Sequence, residues 1–348
     1  MSRTRSAAPS TAPSRRAALG LALGGVAAVT SACVQGESSG GSTAASSASG
    51  SASGGGTVRL DYALYNPLSL VVREQAILEG QGLTVQWEQS LGSNKANEFL
   101  RNDNLDIAST AGAAVLQARA NGSAVKTVDV FSQPEWTALV VAGGSPITDV
   151  AGLRGKQIAA TTGTDPYFFL QQALAEAGLS ASDVTITNLQ HADGRAALER
   201  GDVDAWAGLD PNMAASQLQA GSTLLYRNVG FNTYGVLNAR EEFIDGSPEL
   251  VQAIVDAYAQ ARAWALANPA DLAALYADQA QLTPEVAALV LERTTLDGDP
   301  VPGDAQREVL AGIVPLMAEG GDVPSEEVAT QALDSLLVPD FARQAVSS

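Results

Sequence analysis

Apolar and polar positions alternate over residues 58–63, the pattern of a half-buried strand. Helical spacing takes over at 68–78 and stops at Gly80 and Gly82. A second strand is predicted at 83–87, a short helix at 93–100, a third strand at 106–109, and a helix at 113–120 that ends at Asn121 and Gly122. Further strands are predicted at 128–131 and 136–142. Gly143, Gly144, Ser145 and Pro146 break the pattern, and the same rhythm then restarts. It gives strands at 157–161, 184–189, 203–209, 223–226 and 234–238, with helices at 166–177, 195–200 and 211–218 between them. Beyond Arg240 the spacing is helical, over 248–267, 269–276, 284–292, 305–319 and 325–337. Thr283 before Pro284 is a cap and first-turn pair.

Strand and helix in strict alternation predict right-handed βαβ units, hence an α/β protein with parallel-rich sheets flanked by helices and a helical C-terminal tail. Two similar modules followed by that tail fit two lobes. Residues 57–142 with 235–348 form the first lobe in this reading, and 143–234 the second. The break at 142–146 and the return near Tyr234 are then the hinge strands. Such lobes enclose a cleft on which the loops at strand ends converge, and hinge closure is its usual motion.

The N-terminal segment adds a compartment. Arg15 and Arg16 precede an apolar run at 17–29, which is too short to cross a bilayer as a stable helix. The run closes at Thr30-Ser31-Ala32-Cys33, so 1–33 is predicted to be an export signal; its paired arginines resemble the twin-arginine type, with general secretory export the alternative. Cys33 is the only cysteine in the chain, which excludes an internal disulfide; its place at the end of the signal resembles a lipidation site, with Thr30 where an aliphatic residue is usual. Residues 34–56 are nearly all Ser, Gly and Ala, the composition of a flexible tether. The expected location is therefore the outer face of the cytoplasmic membrane, held by lipid. A formal charge of −18 argues against nucleic acid and against adhesion of the folded body to anionic lipid.

Several fragments, in order, carry a family resemblance. They are Ser145-Pro146-Ile147 with Ala151-Gly152-Leu153-Arg154-Gly155-Lys156, then Ala177-Gly178-Leu179 with Asp183-Val184. Gln190 with Ala192-Asp193-Gly194-Arg195-Ala196-Ala197-Leu198, and Gly201-Asp202-Val203-Asp204-Ala205-Trp206, complete the set. In this spacing the chain resembles the periplasmic solute-binding proteins of the aliphatic sulfonate, taurine and nitrate importers, a group that includes binders of thiamine-precursor pyrimidines. The resemblance implies a two-lobed periplasmic-binding-protein fold of type II and a ligand held between the lobes. On the matching loops it implies contacts from Tyr65 and Asn66, from Gly92, Ser93 and Asn94, and from Ser109 and Thr110 in the first lobe. From the second lobe it implies Thr162, Gly163, Thr164 and Asp165, then Trp206 and Asp210, with Asn232 and Tyr234 on the return segment.

The chemistry of these positions suits a small anion, because helix starts offer unpaired N–H groups and partial positive charge. Plain structural roles compete. Asp165-Pro166 and Asp210-Pro211 are good cap and first-turn pairs, and Trp206 is as well suited to core as to cleft wall. A carboxylate at 165 also repels a nearby anion, which favours an amine-bearing sulfonate or a nitrogen heterocycle over a bare sulfonate or nitrate.

No catalytic constellation emerges. His191 is the only histidine and is read as a surface-loop residue or, second, a cleft contact; no closely spaced His and Cys set predicts a metal. The expectation is therefore a monomeric binding lipoprotein without cofactor that hands a small-molecule ligand to an ABC permease. The ligand expected is sulfonate- or taurine-like, an aminopyrimidine-type heterocycle or nitrate being the alternative. A sensory ligand-binding lipoprotein is the rival of another class.

Overall fold

The computed structural model describes residues 55–347. The export signal, Cys33 and the tether up to residue 54 lie outside the described residues. In chain order the first module is β1 (Thr57–Tyr62), α1 (Pro67–Glu74), β2 (Thr84–Gln89), α2 (Ser93–Arg101), β3 (Ile107–Ala111), α3 (Gly112–Ala120) and β4 (Val125–Pro134). The second is β5 (Thr137–Val141), β6 (Gln157–Ala160), α4 (Asp165–Glu176), β7 (Thr185–Asn188), α5 (His191–Arg200), β8 (Ala205–Leu209), α6 (Asn212–Gln219) and β9 (Thr223–Tyr226). The chain then returns through β10 (Gly235–Arg240) to α7 (Glu241–Gly246), α8 (Pro248–Ala267), α9 (Pro269–Gln279), α10 (Pro284–Glu292) and β11 (Thr294–Thr295). It closes with α11 (Asp304–Glu319), α12 (Glu326–Asp334) and α13 (Asp340–Ser347).

Two mixed sheets result. The first has the order β11-β4-β10-β3-β1-β2 and the second β7-β6-β8-β5-β9. Each holds a parallel trio, β2-β1-β3 and β7-β6-β8, extended by antiparallel strands. Alternation assigns side chains to opposite faces. In the second sheet, Leu139 and Val141 join one core with Ile158, Ala160, Ala205 and Ala207, whereas Ala138 and Val140 join Ala159 and Trp206 in another. The helix starts follow their caps: Asn66 Oδ1 accepts from Ser69 N at α1, Thr283 Oγ1 from Val286 N at α10, and Ser325 Oγ from Val328 N at α12. No helix among the described residues is long and apolar enough to cross a membrane.

Two sequence expectations are corrected. The chain leaves the first sheet earlier than 142–146: β4 ends at Pro134, and β5, buried throughout, pairs with β8 and β9 in the second sheet. Glu135 and Trp136 therefore make the crossover, and Gly143 to Pro146 form only the turn after β5, where Ser145 N donates to Ala142 O. Helix α5 starts at His191 rather than at 195. Its buried face is His191, Gly194, Ala197 and Leu198, so a histidine and a glycine occupy places where a hydrophobic count looks for large apolar residues. The sequence reading does not include α7, β11 and α13, which are 6, 2 and 8 residues long.

Candidate functional site

The parallel trios aim the starts of α2, α4 and α5 at one another across the two lobes. Gly92 precedes α2, and its φ of 164° is ordinary extended backbone. A Cβ there would stand 2.9 Å from Asn94 Oδ1 and 2.9 Å from Nε2 of His191, a residue of the other lobe. Opposite, Gly163 has φ of +73°, and a Cβ on it would lie 3.7 Å from Asn94 Cβ and 3.3 Å from Gln117 Oε1. The lobes thus meet glycine against side chain, in both directions.

His191 is buried, 3% exposed, and so is not the surface-loop residue expected. Thr161 Oγ1 gives its proton to Leu189 O at 2.6 Å, which leaves it an acceptor for the imidazole Nδ1 at 3.2 Å. The proton therefore sits on Nδ1, and Nε2 carries a free lone pair. Burial pushes the imidazole down to about 4, so it is neutral at physiological pH. Nε2 has no hydrogen-bond partner among the described residues, and neither have the buried amide oxygens of Asn94 and Gln190. A buried polar atom without a partner is costly unless water or a ligand meets it.

Asp165 is the first residue of α4, but its carboxylate is no helix cap and no free charge. It accepts from Trp136 Nε1 at 2.7 Å, from Thr233 N at 3.1 Å and from Thr233 Oγ1 at 2.5 Å. Thr233 in turn receives the N–H of Ala113 on Oγ1 and that of Gly112 on its carbonyl. One carboxylate thus ties α4 to both crossovers and, through Thr233, to the start of α3. Burial pushes it up to about 6, with the Thr233 and Trp136 bonds pulling the other way. Trp136 also meets Tyr65 edge to face at 5.7 Å, and Tyr65 Oη donates to Ser109 O.

The remaining expected residues divide. Ser93 sits at the seam on α2, its Oγ accepting from Ala111 N; Thr162 N donates to Asn188 Oδ1, and Thr164 Oγ1 to Thr161 O. Asn66 and Ser109 are buried in a network inside the first lobe: Asn66 Nδ2 donates to Ser109 Oγ, which donates to Asp61. Thr110 receives Asn238 Nδ2, and Asn232 Oδ1 receives Thr137 N while its Nδ2 donates to Asn228 O. Asp210 accepts from Ala214 N and pairs with Arg293 at 3.3 Å. Trp206 is not a cleft wall: it is fully buried, and a Cβ at Gly194 would stand 2.7 Å from its Nε1. Tyr234, at φ of +64°, lines a separate hollow of about 120 Å³ with Val130, Ser132, Arg262 and Gln306.

Reading by sequence missed Trp136 and Thr161, and took in Thr233 only as the middle of the return segment Asn232-Thr233-Tyr234. Trp136 was legible as a lone aromatic beside Pro134 at a strand break, and Thr161 as one more small hydroxyl residue at a strand end. Among the described residues no group of three or more His, Cys, Asp or Glu side chains is placed to hold a metal ion.

A family model described as NMT1/THI5 like matches residues 71–272. Two relatives are named for binding aliphatic sulfonates. The one from Escherichia coli K12 is 31% identical over 51% of this chain and 57% of its own. The one from Bacillus subtilis 168 is 30% identical over 62% and 66%. The chain thus spans less than two thirds of the length of these relatives. Among solved structures, the E. coli periplasmic aliphatic sulphonate binding protein SsuA superposes with TM-score 0.70 at 26% identity, over 81% of this chain and 92% of its own. The alkanesulfonate-binding SsuA of Xanthomonas axonopodis, bound to MOPS, gives 0.73 at 24%, over 79% and 97%. The fold is that of the periplasmic binding proteins. The desulfurization enzyme DszB shares it with TM-score 0.61 at 16% identity, over 84% and 99%. Fold alone does not separate binding from catalysis.

Proposed function

The chain belongs to the NMT1/THI5-like family, and from that premise we propose that it is the extracytoplasmic solute-binding component of an ABC importer. It captures a small organic solute of aliphatic-sulfonate or taurine type between its lobes and presents the closed form to the permease, acting as a monomer. Cys33 holds it by lipid to the outer face of the cytoplasmic membrane after twin-arginine export, with 34–56 as the tether. The observation that carries the reading is the seam where Gly92 and Asn94 face Gly163 and His191, with buried polar atoms left unpartnered from both sides.

Tyr65, Gly92, Ser93, Asn94, Thr162, Gly163 and Thr164 are the binding residues in this reading, joined by Trp136 and His191. The acidic head of the solute sits at the start of α2. That helix has no side-chain cap and no acid in its first turn, whereas α4 carries Asp165 and α5 carries Asp193 there. Catalysis is a poor account of the same groups. Thr161 sends its proton to Leu189 O rather than to His191, so the pair is not a nucleophile with its base.

Calorimetry of the full chain against alkanesulfonates, taurine, nitrate, sulfate esters and aminopyrimidines tests this. Saturable 1:1 binding confined to the sulfonates is expected, and each binder raises the melting temperature by mass action. A well-folded protein that binds none of the sulfonates sinks the assignment.

A further inference from the structure

We propose that the hollow beside Tyr234 is a second binding site, which takes a short-chain monocarboxylate. It measures about 120 Å³ and is lined by Ser132 of β4, Arg262 of α8 and Gln306 of α11, whereas Gly92, Asn94, Gly163 and His191 of the seam take no part in it. The site therefore stands on its own groups and not on the sulfonate reading. Ser132 is 2% exposed and Arg262 9%, and Ser132 Oγ and Arg262 Nε have no hydrogen-bond partner among the described residues. The rest of the guanidinium is engaged: Nη1 donates to Leu296 O at 3.0 Å and Nη2 to Val130 O at 2.7 Å. Those bonds fix the group and leave its Nε–H over. Gln306 uses its Oε1 to accept from Gly303 N at 2.9 Å, so its amide hydrogens remain as donors. Buried donors without an acceptor are costly, and a ligand that supplies one recovers that cost.

Donors from three elements require an acceptor, and charge decides which kind. Arg262 brings a full positive charge, and the first turn of the 16-residue α11, which lines the hollow through Ala305 and Gln306, adds the partial charge of a helix start. Acids offset part of this. Asp129 Oδ1 stands 3.6 Å from Arg262 Nη2, Asp304 lies in the same first turn, and Asp299 borders the hollow. One negative charge is matched by such a set, and a dianion such as sulfate is repelled. A carboxylate has one charge and two oxygens, enough to accept from several donors at once. Val130 and Ala305 give apolar wall for a tail of one or two carbons, in a space smaller than the cavity of about 150 Å³ that holds benzene. Tyr234 follows Thr233, which donates to Asp165 of the second lobe, so an occupant lies against the return crossover.

The test is a titration of the isotope-labelled full chain with sodium propionate, followed by NMR at the Arg262 Nε–H and at the backbone amides of Ser132, Tyr234 and Gln306. Saturable shifts at these groups are expected, with a Kd of about a millimolar for so small a ligand. Sulfate and methylammonium, at matched ionic strength, are expected to bind at least about tenfold more weakly. Ser132→Ala weakens propionate by about tenfold, the contribution of one hydrogen bond to a charged group. Ala305 is exposed at the helix start, so Ala305→Leu fills the hollow and abolishes the shifts while the melting temperature holds. Propionate shifts that miss these groups, sulfate bound as tightly as propionate, or an affinity unchanged in either variant overturns the inference. Each of those results leaves the proposed function standing, because no signal or variant used here lies at the seam. Failure of the sulfonates in calorimetry sinks that function and leaves this site to its own test.

Discussion

Gly92 is the residue on which the seam depends, and for steric rather than conformational reasons. Its extended φ suits any residue, so an alanine there adds no backbone strain. What it adds is a methyl group 2.9 Å from both Asn94 Oδ1 and His191 Nε2, atoms of opposite lobes. Gly92→Ala is therefore expected to weaken ligand binding by about tenfold or more, as a sub-ångström misplacement at a closed site does, while the melting temperature of the free protein stays within a few degrees. Unchanged affinity by calorimetry contradicts the closed seam described here. At this scale the sequence was a fair guide wherever chemistry follows from position. Gly92, Ser93, Asn94, Gly163 and Thr164 are legible as small or polar residues at strand-to-helix junctions. It was a poor guide to the tryptophans. Trp136 and Trp206 sit in similar apolar strand contexts, and only the pairing of β5 with β8 and β9 decides which one reaches the hinge.

Helix α5 shows how an element can be hidden from a periodicity count. Its first turn buries His191 and Gly194, and the glycine is there because Trp206 lies against it, 2.7 Å from where a Cβ would be. Gly194→Ala gains helix propensity but overpacks the second lobe against a ring that is fully buried. The packing cost, about 1–3 kcal/mol, exceeds the propensity gain of roughly 1 kcal/mol. The variant is expected to unfold at lower urea concentration with an unchanged slope, and a gain in stability would show that the ring has room to shift. The same helix explains the misplaced histidine. With α5 begun four residues late, His191 falls on a loop; begun where Gln190 makes the turn, it stands at the helix start facing the other lobe. The crossover at Glu135 and Trp136 was missed for a related reason. A strand boundary marked by Pro134 is a weaker signal than the Gly143-Gly144 turn that follows it.

Across the whole molecule, buried carboxylates make stability depend on pH in an unusual direction. Burial pushes Asp61 and Asp129 up to about 7, and Asp165 and Asp210 up to about 6. In the unfolded chain each titrates near about 4, so the native state binds protons more tightly between roughly pH 4 and 7. Their contribution therefore grows as pH falls through that window and declines as pH rises through the folded values. His191 opposes them: its folded value of about 4 lies below its unfolded one, so its share is lost as pH falls from roughly 6.5. Glu98, Asp103, Asp106 and Asp183 are held low, mostly by basic partners or hydrogen bonds, and their contribution fades only in stronger acid. Protonation also relieves the self-repulsion of a chain with formal charge −18. Four groups and the net charge outweigh one imidazole, so the protein is expected to melt a few degrees higher at about pH 5.5 than at pH 8 by scanning calorimetry. Asp165→Asn removes one of the four and shallows the slope. It also shows whether the tie between α4 and the two crossovers survives with a neutral acceptor in place of the carboxylate. A melting temperature that falls steadily from pH 8 to 5.5 means that these aspartates are solvated in solution, and that the lobes are not packed about the hinge as described.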